Sequence, residues 1–297
     1  REDAQTRRRA DARTRGRAGR NAVDIPKGML SQENLTRLEA LGNPALMGIL
    51  EKYLKLLKPA RATVITDDPR DIRYLRDLAV RSREEEPLAM EGHTIHFDGY
   101  ADQGRDRENT RVLVTPGMPG TQMSEAIRTQ DREEGLTEVF AIMDGLMAGK
   151  EALICFFTLG PLRSRFAIPC LQITDSPYVA HSEAILYRPG YEQFKRLNGS
   201  TEFFTFVHSG GSLDARMNTI DVAKRRIFID VTGGEVLTVN NQYAGNSVGL
   251  KKLALRLAIY KANHEDWLAE HMFLMAVRPE GKNRQTYFAG AFPSAWG

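Results

Sequence analysis

Apolar residues recur at helical spacing in several separate stretches of the chain. Residues 31–58 hold two such stretches, because a Gly-Asn-Pro sequence at 42–44 interrupts the pattern, and Ser31 is placed to cap the first of them. Pro69 opens a third stretch, in which Ile72 and Leu75 recur on one face. The same spacing predicts further helices at 121–133, 137–148, 177–187 and 250–267.

Runs rich in Val, Ile and Phe predict strands, most of them after residue 150. A Thr-Gly-Gly-Glu sequence at 232–235 joins two of these runs and is typical of a hairpin turn. The predicted strands lie at 62–66, 93–97, 111–115, 152–159, 166–173, 203–207, 226–231, 236–239, 271–277 and 285–292. Strands mixed with helices in this way indicate an α/β or α+β fold.

Composition and charge exclude several classes of protein. The chain has 297 residues, of which 42% are hydrophobic and 27% charged, and no run of about 18 apolar residues is present. The net charge of +3 comes from residues 1–20, which hold eight arginines and three acidic residues, so the remainder carries −2. Residues 1–25 are therefore predicted to be a disordered Arg-rich tail, with nonspecific contact to nucleic acid as an alternative.

The two cysteines predict no disulfide framework and no zinc site. Cys155 and Cys170 both lie in apolar runs of the strand type. Buried, reduced thiols in a cytoplasmic protein are the expected state.

Two segments near the C-terminal end have the composition of anion-binding loops. Residues 289–297, which follow a strand, are rich in small residues, as in the entry to a phosphate-binding loop, although a plain tight turn has the same composition. The loop 243–247 precedes Lys251 and Lys252, which suit either an anion site or a solvated helix face. His271, between a helix and a strand, is either a metal ligand or a hydrogen-bonded structural residue.

Two further segments carry polar residues beside predicted elements. Asp175, Ser176 and Pro177 begin a helix, with Asp175 or Ser176 as the capping residue. The loop 105–110 is dense in arginine, which is compatible with a solvated loop or with a clamp for a carboxylate.

Taken in order, these segments resemble the GTP-dependent phosphoenolpyruvate carboxykinases. The family's Thr-Asp-Ser-Pro-Tyr-Val sequence is matched at 174–179, its Tyr-Gly-Gly-Asn-Ser loop with two lysines at 243–252, and its Trp-Leu-Ala-Glu-His-Met sequence at 267–272. Ala-Phe-Pro-Ser-Ala follows at 291–295. The resemblance implies an α/β fold, with a mixed-sheet substrate-binding domain at 26–268 and the first strands of a P-loop-type nucleotide domain at 269–297.

The resemblance also implies roles for individual residues. Arg105, with Arg107 as the alternative, binds the substrate carboxylate, and the loop of Tyr243, Ala244, Gly245 and Asn246 binds the rest of the substrate. The remaining implied site residues are Lys252 and His271 as Mn²⁺ ligands, Lys251 and Ser294 as catalytic residues, and Ser294, Ala295 and Gly297 as nucleotide-binding residues.

The implied activity is the reversible conversion of oxaloacetate to phosphoenolpyruvate and CO₂, a gluconeogenic reaction. GTP and GDP are co-substrates, and Mg²⁺ accompanies the nucleotide. A cation can stabilise the enolate left by decarboxylation, and the phosphates must be held for transfer. We expect a cytoplasmic protein that is monomeric at full length and has neither a membrane partner nor a specific nucleic acid partner.

Three features depart from the family pattern. Ala244 replaces the loop's first glycine, Trp296 stands in place of a cysteine, and the chain ends at Gly297, before the Lys-Thr of the phosphate loop. We therefore expect this polypeptide by itself not to complete phosphoryl transfer. A non-catalytic module that binds a dicarboxylate or a metal is the alternative function.

Overall fold

A mixed β-sheet organises the part of the chain that the computed structural model describes, namely residues 24–102, 106–117, 128–247, 256–265, 274–277, 280–281, 283 and 286–289. The described helices are α1 (Gln32–Glu39), α2 (Pro44–Leu57), α3 (Pro69–Arg81), α4 (Arg132–Met143), α5 (Pro177–Leu186), α6 (Tyr191–Lys195) and α7 (Ala258–His264). The described strands are β1 (Arg61–Val64), β2 (Glu86–Pro87), β3 (Thr94–Ile95), β4 (Thr110–Val114), β5 (Thr129–Asp131), β6 (Glu151–Leu159), β7 (Ile168–Thr174), β8 (Arg188–Pro189), β9 (Phe204–Ser209), β10 (Arg226–Asp230), β11 (Glu235–Val239), β12 (Leu274–Val277) and β13 (Thr286–Ala289).

The main sheet has nine strands in the order β1-β6-β7-β9-β11-β10-β4-β5, with β8 also paired to β6. β7, β9 and β11 run parallel to one another. β6 runs antiparallel to β7, and β10 runs antiparallel to β11. β4 and β5 continue in the direction of β10. The prediction of an α/β fold with a mixed sheet is confirmed.

Both faces of the sheet are buried. Along β6, Ile154 and Phe156 belong to one apolar cluster, whereas Cys155 and Phe157 belong to a second cluster on the opposite face. α1, α2, α4 and α6 contribute to the first cluster, and α3, α5 and α7 contribute to the second. Because side chains alternate between faces along a strand, the continuous apolar run of β6 follows from helices covering both sides.

The helix predicted at 121–133 is wrong at residues 129–131, whereas the helix predicted at 137–148 is present but begins and ends earlier. Residues 129–131 form β5, which pairs with β4, and one helix, α4, covers 132–143. Asp131 ends the strand and caps the helix, since its Oδ1 accepts from the Glu133 and Glu134 N–H groups at 2.9 and 3.1 Å. Residues 121–127 lie outside the described residues.

Other predictions differ from the structure mainly in extent. The strand predicted at 93–97 is the two-residue β3, which pairs only with β2. The final strands are β12 and β13, which form an antiparallel pair. Only residues 256–265 of the helix predicted at 250–267 are described. Residues 1–23 lie outside the described residues, so the disorder of the tail stays a prediction. None of the described helices is long and apolar enough to cross a membrane.

Cys155 and Cys170 are free and fully buried, and burial raises the pKa of both thiols well above the ordinary value. We therefore expect an aromatic disulfide reagent to label neither thiol in the folded protein and both after unfolding in guanidinium. Absorbance of the released thiolate measures the count. Fast labelling of either thiol under native conditions would contradict the buried placement.

Candidate functional site

Polar segments meet at one edge of the main sheet. β7, β9 and β11 end at this edge, at Thr174, Ser209 and Val239. The antiparallel strand β10 begins there at Arg226, and β4, which is parallel to β10, begins there at Thr110. The motif at 174–179, the Tyr243 loop and the arginine-rich loop before β4 are therefore neighbours, although they are far apart in sequence.

The Tyr243 loop is a short turn braced from the end of β11. Ala244–Asn246 form one turn of 3₁₀-helix, and the Asn246 side chain donates to Asn241 Oδ1 at 3.0 Å. Thr238 Oγ1 donates to the Asn246 carbonyl at 2.5 Å. Asn246 therefore supports the turn from inside, and Tyr243 is left at its outer end. We call residues 243–246 the Tyr243 turn.

The geometry of the Tyr243 turn accounts for the small residues at positions 244 and 245. Ala244 has a negative φ and packs with Tyr178 and Val179, so replacement of the family's glycine by alanine introduces no backbone strain. At Gly245, a Cβ would lie 2.5 Å from Cε1 of Tyr243. Glycine at 245 is therefore what allows the Tyr243 ring to lie against the turn.

The Tyr243 phenol is half-buried and can serve as a hydrogen-bond donor. Burial raises its pKa above the ordinary value, and the carboxylates of Asp98 and Glu183 raise it further. The phenol therefore keeps its proton at neutral pH, which suits recognition of an anion.

A buried arginine joins the residues directly before the Tyr243 turn to the loop that contains Arg105. Arg225 Nη2 donates to Asp102 Oδ1 at 2.7 Å, and its Nε donates to the Asn240 carbonyl at 2.9 Å. Asp102 Oδ1 also accepts from the Gln242 N–H at 3.1 Å. The Arg225 and Asp102 side chains are 2% and 1% exposed, so this ion pair is shielded from solvent. We call Arg225 and Asp102 the buried ion pair.

Arg105 lies outside the described residues, but both ends of its loop are held. Asp102 precedes the undescribed residues 103–105, and Asp106, which follows them, lies 3.3 Å from Arg225 Nη1. Arg107 is described, and its side chain is exposed. The choice between Arg105 and Arg107 as the carboxylate ligand therefore stays a prediction.

The Asp-Ser-Pro sequence has divided roles. Ser176 caps α5, since its Oγ accepts from the Val179 N–H at 3.2 Å and Pro177 occupies the first turn. Asp175 instead accepts from Lys150 Nζ and Ser209 Oγ, both at 2.7 Å. Asp175 thus ties the loop after β9 to the start of α5.

Sequence reasoning did not identify Glu84, which follows α3. Its side chain is buried, and Oε2 accepts from Ser176 Oγ, from the Tyr178 N–H at 3.2 Å and from Gln242 Nε2 at 2.9 Å. Burial raises the pKa of Glu84 to about 7, although the hydrogen bonds from Ser176 and Tyr178 act in the opposite direction. In sequence, three consecutive glutamates after an amphipathic helix are typical of a solvated surface, so the local sequence did not indicate that the Glu84 side chain is buried.

Several predicted site residues fall outside the described part of the chain. These are Arg105, Lys251, Lys252, His271, Ser294, Ala295 and Gly297. Within the described residues no group of three or more His, Cys, Asp or Glu side chains is arranged to hold a metal ion. The Mn²⁺ site and the nucleotide site therefore stay predictions.

Two known protein domains match this chain in sequence. Residues 49–263 match the phosphoenolpyruvate carboxykinase N-terminal domain, and residues 267–297 match the phosphoenolpyruvate carboxykinase C-terminal P-loop domain. A protein of Thermococcus sibiricus named phosphoenolpyruvate carboxykinase (GTP) is 50% identical over 275 residues, which are 92% of this chain and 43% of that protein. The proteins of the same name from Pyrococcus abyssi and Saccharolobus solfataricus are 50% and 41% identical over 91% and 94% of this chain, and each is covered to 43%.

The chain spans less than half the length of these curated relatives. The two matches cover most of it, and they include residues before 100, where the motifs are sparse. The chain therefore belongs to the GTP-dependent phosphoenolpyruvate carboxykinase family.

Proposed function

We propose that these residues are the substrate-binding portion of an enzyme that converts oxaloacetate and GTP reversibly to phosphoenolpyruvate, CO₂ and GDP. One structural observation carries the proposal: Arg225 contacts Asp106 of the arginine-rich loop, and its partner Asp102 accepts from the N–H of Gln242, which directly precedes the Tyr243 turn. A guanidinium and a protonated phenol then come from adjacent segments. Together they can bind the carboxylate of a small anionic substrate.

The proposed roles within the chain follow from charge and position. Arg105, or Arg107 in its place, binds the substrate carboxylate, and the Tyr243 phenol donates to the same anion. Lys252 and His271 would hold Mn²⁺, which supplies stabilisation of enolate charge when bound. Lys251 adds positive potential and disfavours a proton on Lys252, because a lysine amine ligates a metal only when it is deprotonated.

The proposed domains divide these roles. Residues 26–268 form the substrate-binding domain, and residues 269–297 begin the nucleotide domain, where Ser294, Ala295 and Gly297 would approach the GTP phosphates. Oxaloacetate, phosphoenolpyruvate and CO₂ are the proposed small-molecule partners. The names of the relatives and the two family matches support this assignment.

We expect the chain to bind phosphoenolpyruvate in the presence of Mn²⁺ and Tyr243→Ala to weaken that binding roughly tenfold, because a hydrogen bond to a charged group is lost. Titration calorimetry measures the affinity. Tyr260→Ala is the matched control, since Tyr260 is also partly buried but lies on α7, beside the hairpin between β10 and β11 at the other edge of the sheet. Absence of binding, or an equal loss in both variants, would count against the proposal.

A second candidate function, a non-catalytic module for a dicarboxylate or a metal, shares this binding step. Production of phosphoenolpyruvate from oxaloacetate and GTP separates the two. The assay requires a protein in which these residues are joined to the Lys-Thr end of a phosphate-binding loop. Binding without turnover in that protein would favour the non-catalytic module.

A further inference from the structure

Gln242, which directly precedes the Tyr243 turn, is held at two points. Its N–H donates to Asp102, within the buried ion pair, and its side-chain Nε2 donates to Glu84 Oε2 at 2.9 Å and to Ser176 Oγ at 3.2 Å. Its Oε1 is buried and has no hydrogen-bond partner within the described residues. The amide nitrogen therefore determines how the side chain is oriented, and it points towards Glu84.

Glu84 is well placed to act as a fixed acceptor. Its Oε2 also accepts from Ser176 Oγ and the Tyr178 N–H, and its Oε1 accepts from Ser82 Oγ at 3.2 Å. The three contacts at Oε2 come from donors, and the Ser82 hydroxyl shares its one hydrogen between Glu84 Oε1 and the Ala79 carbonyl, so the ionised carboxylate accepts at every contact. Protonation removes the negative charge and weakens the group as an acceptor, so the hydrogen bond from the Gln242 amide becomes weaker.

We propose that Glu84 is a positioning residue for the Tyr243 turn, and that its carboxylate holds Gln242 and thereby sets the place of the Tyr243 ring. The ring's role towards substrate rests on the proposed function, whereas the coupling of Glu84 to the ring does not. Glu84 has no hydrogen bond or ion pair with the described residues of the proposed substrate site. It acts through the one residue that separates it from Tyr243.

Glu84 titrates near neutral pH beside His96, whose pKa is raised above its ordinary value because hydrogen bonds with Asp98 and the Glu84 carbonyl outweigh the effect of burial. A cavity of about 310 Å³ beside it is bordered by two ion pairs, Lys150 with Asp175 and Arg61 with Glu151. The remaining ionisable neighbours are His96, whose Nδ1 contacts the Glu84 carbonyl, and the Glu85–His181 pair. Burial raises the pKa of Glu84 to about 7, and Asp175 acts in the same direction. Gln242 is therefore held most firmly above this pH and less firmly below it.

The direct test follows the Tyr243 ring in the absence of any ligand. The chain is labelled with 3-fluorotyrosine, and its ¹⁹F resonances are recorded against pH, with the Tyr243 signal assigned through Tyr243→Phe. We expect the Tyr243 signal to shift with a midpoint at about pH 7. The shift should be largely lost in Glu84→Gln, which cannot ionise, and in Gln242→Met, which keeps Glu84 but removes the connecting amide, and any small remainder reports His96.

Glu85→Gln is the matched control. Glu85 is the next residue, is equally buried and pairs with His181 Nδ1 at 2.9 Å, and it makes no contact with Gln242. Its variant should therefore keep the wild-type titration of Tyr243. An unchanged titration in Glu84→Gln or Gln242→Met would overturn the proposal, as would its loss in Glu85→Gln.

A second measurement separates this proposal from the proposed function. Above pH 7.5, phosphoenolpyruvate should bind Glu84→Gln and Gln242→Met roughly fivefold more weakly than wild type, as expected for weakening a single charge-assisted hydrogen bond, and Glu85→Gln as well as wild type. If the ¹⁹F titration behaves as expected while no variant and no wild-type protein binds phosphoenolpyruvate, Glu84 still positions the turn and the proposed function is wrong. Equal affinity in all variants, in protein that does bind, overturns the link between positioning and substrate.

Discussion

Replacing Arg225 with methionine is expected to lower the free energy of unfolding by about 3–5 kcal/mol. The side chain is buried with Asp102, and methionine leaves that carboxylate without its counter-charge and the Asn240 carbonyl without its donor. Removal of one partner from a buried ion pair exposes the full desolvation cost of the other. Urea denaturation at neutral pH, followed by circular dichroism, measures the change.

Two further variants make this prediction specific. Arg226→Met removes the neighbouring arginine, whose partner Glu138 is, like Arg226 itself, partly exposed, so the expected loss is about 1 kcal/mol or less. Adding Asp102→Asn to Arg225→Met should recover part of the stability, because the orphaned charge is gone. A similar loss at both arginines, or no recovery in the double variant, would show that burial of the ion pair is not the cause.

The second large effect is expected at Gly245. In Gly245→Ala the new Cβ would lie 2.5 Å from the Tyr243 ring, so the ring must leave its place against the turn. We expect the affinity for phosphoenolpyruvate to fall at least about tenfold, because a displacement of about 1 Å at a recognition group has effects of this size. Calorimetry on the wild type and the variant measures it.

Ala244→Gly is the control for this variant, since it changes the adjacent position in the opposite sense. Ala244 has a negative φ, so glycine brings no new conformation, and only its packing against Tyr178 and Val179 is lost. Because Ala244 belongs to the same turn, we expect a change in affinity that is much smaller than in Gly245→Ala, and a loss of about 0.5–1 kcal/mol in stability. Wild-type affinity in Gly245→Ala would show that the position of the ring is irrelevant to binding.

Local patterns predicted most of the secondary structure because the forces involved are local. The continuous apolar run of β6, the Ser176 cap of α5 and the proline that begins α3 depend on residues a few positions apart. The prediction failed at 129–131, where pairing of Thr129 with Val112 formed a strand that no helical or alternating pattern marked. A three-residue edge strand depends on its partner, which local sequence does not contain.

In the candidate site, too, some residues were identified from local sequence and others only from the fold. The Tyr243 turn and the 174–179 segment were identified as motifs, because short sequences of rigid turns and caps are distinctive. Arg225 and Glu84 were not identified, since their partners Asp102 and Gln242 lie 123 and 158 residues away in the chain. Nothing near either residue in sequence shows that its charge is buried.

The sequence by itself therefore determined the class of fold, the order of its main elements, the family and the motif residues that are proposed to bind an anion. These depend on periodicity, capping and turn chemistry, which act over a few residues. Tertiary structure alone decided which charges are buried and what they hold: it joined the Arg225 and Asp102 side chains and directed Glu84 towards Gln242. The physical reason is desolvation, because the cost of burying a charge is set by the whole surrounding fold, and the partners that offset it come from strands and loops distant in sequence.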